Sequence, residues 1–447
     1  MKVLHIAHYD TNRGKKTSFM DQIRNGIERC LTTFIQDMPK PVEQYIVLFE
    51  KHNQTIFVEQ LDKQGAVSFY AYYQNVEFSV NGLEKIFLEL QKNLAIDIVH
   101  IHYLVDFTIC LPEIFAKINI PVVSTIHDES LLAADYGLAQ NYQWRPEVQA
   151  FFLKQKKIVF LHSIIYQRFL TYYPEISEKA QIIPNGITCP HIAKFNNDKK
   201  FKLLFLGRFN HFKGEDIIYE IINETTDLEI EHHLLGSIEK IGANFATMQK
   251  YSKNNLAEKV GAINPDLIIL PSIVQEAFPY TALEATALGY PILSFNVGAL
   301  AVIETEERGF VVNEITATAM IEKIKNIMNK KQENPKWWQQ VLRNVSECEI
   351  FSEKEMISAY YNLYIESIDE PINDILRNDE YFLKLNFAMH KSMEARIVNF
   401  ETEMANRENI LNKKIGQLND QVAFIRSHPI HNIFRYISKI IKREPIS

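Results

Sequence analysis

Short apolar runs alternate with amphipathic stretches along residues 1–370. Val3–Ala7, Gln44–Phe49, Ile96–Ile101, Val122–Ile126, Ile158–His162 and Gln181–Ile183 read as strands. A second series follows: Lys202–Leu206, Glu229–Leu235, Asp266–Leu270, Pro291–Phe295 and Gly309–Val312. Between them, Ser18–Cys30 and Glu215–Ile222 carry apolar residues at helical spacing. Near-continuous apolar strands alternating with helices predict parallel sheets covered on both faces. The strands are too many for one sheet, so two doubly wound halves are expected, meeting near Pro184-Asn185-Gly186-Ile187. The aromatic run Phe69-Tyr70-Ala71-Tyr72-Tyr73 reads as a half-buried strand.

The pattern changes near the end. Ile397, Met404, Leu411, Leu418 and Ile425 recur at sevens among Glu, Asn, Lys, Arg and Gln, the spacing of a heptad helix. Phe400 begins a second apolar column, which Arg407 and Lys414 break, and Ile415 and Val422 lie four residues after Leu411 and Leu418. Self-association through residues 393–425 is one expectation, and a single helix folded back on the body is the other. After Ser427-His428-Pro429 a new amphipathic stretch begins, with Ile430, Ile433, Phe434, Ile437, Ile440 and Ile441 on one face. From Arg426 onward five Arg/Lys stand against Glu444 alone. A basic amphipathic helix over 430–443 predicts contact with a membrane surface, or with a partner chain. The expected domains are 1–187, 188–350, a helix within 351–378 packing back on the first domain, a heptad-like helix at 379–427 and a basic helix at 428–447.

Composition narrows the function. Lys+Arg number 48 and Asp+Glu 55, a net charge of −7, which argues against a general nucleic-acid binder. No apolar run reaches the length of a spanning helix, and the N-terminus is too short and polar for a signal peptide. Cys30, Cys110, Cys189 and Cys348 lie far apart without metal spacing and are expected to be reduced, in a cytoplasmic protein. His100 and His102 alternate on one strand face, but a third ligand at sensible spacing is missing, so packing near a cleft is expected rather than a metal pair. His232 and His233 point to opposite faces of a strand and are no chelate.

Two stretches carry chemistry. Strand Asp266–Leu270 runs through Pro271-Ser272 into Glu276-Ala277-Phe278-Pro279-Tyr280-Thr281-Ala282-Leu283-Glu284. Pro279 suits a helix start, so the amides of Tyr280–Ala282 would point into the crevice at the strand's carboxyl end and favour an anion. Glu276 and Glu284 could face one ligand, one reaching sugar hydroxyls and the other a ribose diol, which a carboxylate accepts twice over. In Leu206-Gly207-Arg208-Phe209-Asn210-His211-Phe212-Lys213-Gly214, an apolar strand enters a turn with two cations at the next helix start, the makings of a diphosphate clamp.

Taken in order, His100-Ile101-His102, Thr125-Ile126-His127-Asp128, Pro184-Asn185-Gly186-Ile187, Gly207-Arg208 with Lys213-Gly214, and Glu276 with Glu284 resemble the family 4 glycosyltransferases of GT-B type. The resemblance covers residues 1–370 and is carried most by the Glu pair in its Phe-Pro-Tyr-Thr setting. It implies an α/β fold of two Rossmann-like domains facing a cleft, a nucleoside-diphosphate sugar donor and retention of anomeric configuration. It implies that Arg208 and Lys213 neutralise the diphosphate and Glu276 contacts the donor sugar. His127 would approach that sugar from the N-terminal side, and Glu284 would hold the ribose. The amides around Tyr280 and Thr281 would cap the distal phosphate. Gly207 belongs to the donor site, and Gly14, in the loop after the first strand, would let backbone approach the donor or acceptor.

The chain departs from the pattern in the loop Asp10–Thr17, which is basic and lacks paired glycines, and at Ser237, which replaces a second glycine. No Asp-x-Asp occurs, so two side-chain cations are expected in place of a metal, and no cofactor is expected. Phe-Pro-Tyr-Thr followed by Gly298-Ala299 is similar to enzymes of bacterial surface polysaccharide assembly. The expected function is a retaining, metal-independent hexosyl-type transfer to a glycan or lipid-linked acceptor at the inner face of the cell membrane. The alternatives are a non-catalytic GT-B subunit stabilising a partner transferase and, more weakly, a sugar-nucleotide epimerase of the same architecture.

Overall fold

The computed structural model describes residues 1–8, 26–50, 54–61, 67–102, 106–132, 145–239, 244–302 and 309–369. Gly14 and its loop, the heptad stretch 393–425 and the basic stretch 430–443 lie outside the described residues.

The first half is an eight-stranded sheet, ordered β4-β3-β2-β1-β5-β6-β7-β8. Its strands are β1 (Lys2–His8), β2 (Glu43–Glu50), β3 (Thr55–Leu61), β4 (Val67–Tyr73), β5 (Ile98–Ile101), β6 (Val122–Ile126), β7 (Lys157–Phe160) and β8 (Ala180–Ile182). Helices α1 (Gly26–Asp37), α2 (Val80–Leu94), α3 (Leu111–Lys117), α4 (Pro146–Leu153) and α5 (Ser163–Tyr172) connect them. From β2 to β8 the pairing is parallel, and Val3–Ala7 of β1 and all of β5 are buried. The β2-β3-β4 edge differs: both pairings are antiparallel. Glu59 and Gln60 interrupt the apolar run of β3, which an antiparallel edge with a solvated face tolerates.

The second half is a wholly parallel six-stranded sheet, ordered β11-β10-β9-β12-β13-β14. Its strands are β9 (Phe201–Phe209), β10 (Ile230–Ile238), β11 (Thr247–Gln249), β12 (Leu267–Leu270), β13 (Ile292–Phe295) and β14 (Gly309–Val312). Its helices are α6 (Glu215–Glu224), α7 (Leu256–Ile263), α8 (Tyr280–Leu288), α9 (Ala317–Glu333) and α10 (Pro335–Ser346). Its core packs Leu203, Phe205 and Leu234 of the sheet with Ile218 of α6, Met320 of α9 and Trp338 of α10.

The chain then returns. Helix α11 (Glu353–Asp369) packs Met356, Tyr360, Leu363 and Tyr364 with Val3, Phe34, Ile98 and Val123 of the first half. The two crossings run side by side: the Ile187 amide donates to the Phe351 carbonyl at 2.9 Å, and the Gly186 amide meets Met356 Sδ at 3.2 Å. Each half reverses its strand order beside its central strand, between β1 and β5 and between β9 and β12. Both reversals open a crevice at the strands' carboxyl ends, where doubly wound sheets bind ligands.

Candidate active site

A cavity of about 620 Å³ lies at these carboxyl ends and takes walls from both halves. His127 and Asp128, just past β6, and Asn185 line it from the first half. Gly207 and Arg208 at the end of β9, Lys213 and Glu276 line it from the second. The volume suits a small-molecule ligand.

The polar groups are set by local structure. Arg208 occupies the one exposed position on β9. Gly207 beside it has φ +132°, and a Cβ there would stand 3.2 Å from the Thr281 methyl, so the strand end and α8 approach closely only without a side chain. Lys213 ends a short 3₁₀ turn capped by Asn210, the Lys213 N–H donating to Asn210 Oδ1 at 3.1 Å. Lys213 is ion-paired with Glu276, which also accepts from the Ser272 hydroxyl at 2.8 Å. Among the described residues Arg208 pairs with the exposed Glu239, at 3.5 Å, a pairing worth little in water.

The Glu276 segment is held from beyond β13. The Gly298 amide donates to Gln275 Oε1 at 2.6 Å and the Ala299 amide to the Glu276 carbonyl at 2.7 Å. Helix α8 follows, with Pro279 at its N-cap and no side chain capping it. The Ala282 and Leu283 amides turn back to the Pro279 carbonyl, whereas those of Tyr280 and Thr281 precede any intrahelical acceptor. Two cations and a helix N-terminus around one cavity can hold an anion of more than one charge. His127 is half-buried and burial pulls its pKa down to about 3, so it faces the cavity as a neutral imidazole.

The site residues read from sequence divide here. Arg208, Lys213, Glu276, His127, Gly207, Tyr280 and Thr281 share the cavity. Glu284 does not line it: its carboxylate is fully buried, paired with Arg29 of α1 and accepting from the Tyr251 hydroxyl at 3.2 Å. Glu276 and Glu284 therefore do not line one cavity in this structure, since the partner that claims Glu284 comes from the other half of the fold. The Arg29 guanidinium also stacks over the Tyr280 ring at 4.5 Å. Burial alone would lower the Arg29 pKa, but the Glu284 carboxylate overrides it and the pKa rises.

For His100 and His102 the premise that no third ligand is at hand does not hold. A third histidine does stand beside His100 and His102: His5 of β1, placed there by the register that pairs it with His100. The three offer ring nitrogens within 4.8 Å of one another. Each of those rings has both nitrogens engaged in hydrogen bonds, to one another or to Gln44, Thr125, Tyr364 and His127. Arg29, His5 and Gln44 carry no local sequence signal; only strand register and the docking of α1 on α8 bring them to the site.

Known proteins match this arrangement. The family described as glycosyltransferase family 4 matches residues 24–189, and that described as glycosyl transferases group 1 matches residues 191–342. An uncharacterized glycosyltransferase of Methanocaldococcus jannaschii is 22% identical over 307 residues, 66% of this chain and 82% of its own length. The crystal structure of a glycosyltransferase from Rickettsia africae superposes with a TM-score of 0.58 at 18% identity, over 83% of this chain and 99% of its own. Anabaena HepE in complex with UDP superposes with a TM-score of 0.54 at 13% identity, over 82% of this chain and all of its own. Two consecutive family matches thus divide at the crossing between the two sheets, each covering one of the halves that face the cavity, and the chain belongs to the family 4 glycosyltransferases of GT-B architecture.

Proposed function

We propose that the cavity takes a nucleoside-diphosphate sugar and that the enzyme transfers its sugar, a hexose-type unit, to a glycan or lipid-linked acceptor with retention of configuration. The observation that carries this is the convergence of Arg208, Lys213 and the first turn of α8 on one cavity with Glu276. That the Anabaena relative by fold holds UDP supports a nucleotide here.

In this reading Arg208, Lys213 and the Tyr280 and Thr281 amides neutralise the diphosphate. Their value rises as the glycosidic bond breaks, because the leaving phosphate gains charge. Lys213 exchanges Glu276 for phosphate, and Glu276 is released toward a sugar hydroxyl. No side-chain nucleophile is assigned. The acceptor oxygen forms the new bond on the face the diphosphate leaves, and a leaving phosphate oxygen takes the acceptor's proton. The transition state would share oxocarbenium character with glycoside hydrolysis. The side-chain cations take the role a divalent ion plays elsewhere, so no metal is needed. The resemblance of Phe278–Thr281 with Gly298-Ala299 to surface-polysaccharide enzymes supports an acceptor of that class. Release of nucleoside diphosphate from a donor panel, compared between the native chain and Lys213→Ala, tests the reading.

A further inference from the structure

A line of hydrogen bonds runs from the middle of the first sheet to the cavity. Gln44 Oε1 meets His5 Nε2 at 3.1 Å, His5 Nδ1 meets His102 Nε2 at 3.2 Å, and His102 Nδ1 meets His127 Nε2 at 3.3 Å. Gln44, His5 and His102 are buried, and only His127 touches the cavity. The orientation of the Gln44 amide is not free. Its Nε2 donates to the Phe34 carbonyl at 2.9 Å and to the Ile35 carbonyl at 3.3 Å, and a carbonyl can only accept. The oxygen therefore faces His5 and demands a proton on His5 Nε2.

A neutral imidazole carries one N–H, so each ring passes the demand on. His5 Nδ1 is an acceptor, and His102 Nε2 must donate to it. His102 Nδ1 is then an acceptor, and His127 Nε2 must donate in turn. We propose that Gln44, through His5 and His102, fixes the tautomer of His127, with the proton on Nε2 and a bare lone pair on Nδ1. Gln44, His5 and His102 are thus positioning residues, and His127 offers its remaining nitrogen to a ligand as an acceptor from a hydroxyl. That last step rests on the sugar-donor reading above; the tautomer does not.

Neutrality has its own cause. Burial holds His5 near 4 and His102 well below the ordinary histidine range. His100 and Phe34 pack against the His5 and His102 rings, with Tyr360 against Phe34 and Tyr364 against His100 behind them. His100 is outside the relay, with its nitrogens on the Tyr364 hydroxyl at 2.5 Å and the Thr125 hydroxyl at 2.8 Å.

The test reads the tautomer directly. Long-range proton–nitrogen correlation spectra of the free, full-length enzyme carrying ¹⁵N-histidine are recorded without donor, and His127 is assigned by difference with His127→Ala. The native chain is expected to show His127 protonated at Nε2 and bare at Nδ1. Gln44→Glu keeps an acceptor facing His5, and Gln44→Leu removes it; both lose the amide bonds to Phe34 and Ile35. A purely structural role makes the two variants alike. The relay predicts that Gln44→Glu retains the native tautomer, while Gln44→Leu shifts His127 toward protonated Nδ1 and lowers kcat/KM about ten-fold, one hydrogen bond's worth. A native His127 protonated at Nδ1 overturns the proposal, as do equal effects of the two variants or stoichiometric zinc bound by His5, His100 and His102. The native spectrum decides even if Gln44→Leu fails to fold. A chain that showed the expected tautomer but released no nucleoside diphosphate would overturn the donor reading alone.

Discussion

Arg29 and Glu284 form a buried ion pair across 255 residues of sequence, joining α1 of the first half to α8 of the second. The Glu284 side chain is 1% exposed and that of Arg29 18%. Removing one partner of such a pair strands a charge in a dry place and typically costs about 3–5 kcal/mol, whereas replacing both with apolar groups is near neutral. Arg29→Met is expected to lower the urea midpoint strongly, and Arg29→Met with Glu284→Met to restore most of it. Additive losses in the double variant would contradict the pairing.

Gly298 sets the position of Glu276 from the far side of the segment. It has φ +52°, and a Cβ would fall 2.3 Å from the Glu276 carbonyl oxygen and 2.4 Å from its amide nitrogen. Gly298→Ala must therefore move the segment. We expect a stability loss of about 1–3 kcal/mol and a fall in kcat/KM of ten-fold or more, roughly what a misplaced site residue costs. Native activity in Gly298→Ala would show that Glu276 need not sit where it does.

Acid should weaken the first half through its buried histidines. Desolvation pulls His5 from its ordinary 6.5 to about 4 and His127 to about 3. Below 6.5 the unfolded chain takes up protons that the folded chain refuses, so stability is flat above that pH and falls between about 6.5 and 4. For His5 the full loss is about 3 kcal/mol. Urea midpoints measured across pH 4–8 should show this slope, and His5→Gln should remove close to one proton from it. An unchanged slope in His5→Gln would place the titration elsewhere.

The metal-free reading makes a plain prediction. Turnover should be the same in EDTA as in its absence if, as proposed, Arg208 and Lys213 carry the charge that a divalent ion would. Activity lost to EDTA and restored by magnesium or manganese would refute it.

Much of the fold is written locally in the sequence. Parallel strands such as Val122–Ile126 and Leu267–Leu270 are buried on both faces and read as unbroken apolar runs. β3 escapes that reading because one edge of the sheet is antiparallel and tolerates Glu59 and Gln60. The second-half site was legible for a similar reason: Gly207 and Arg208 close their strand and Lys213 and Glu276 follow strand ends within a few residues, so strand and turn grammar places them together. Glu284 shows the limit. Its helical position was readable, but its surroundings are set by Arg29 and Tyr251, which only tertiary docking brings to it. Gln44 and His5 likewise become neighbours through the pairing of β1 with β2, across 39 residues.

The central claim is that two basic side chains and a helix tip hold a leaving diphosphate. The most direct measurement is donor-dependent release of nucleoside diphosphate by the native chain, Arg208→Ala, Lys213→Ala and Glu276→Ala. The Arg208 and Lys213 side chains are 61% and 40% exposed, so their truncation should leave the melting temperature close to native. The account predicts losses in kcat of about 10²–10³ for each cation, the scale of removing a transition-state charge partner. Release at the native rate from Lys213→Ala and Glu276→Ala would contradict it.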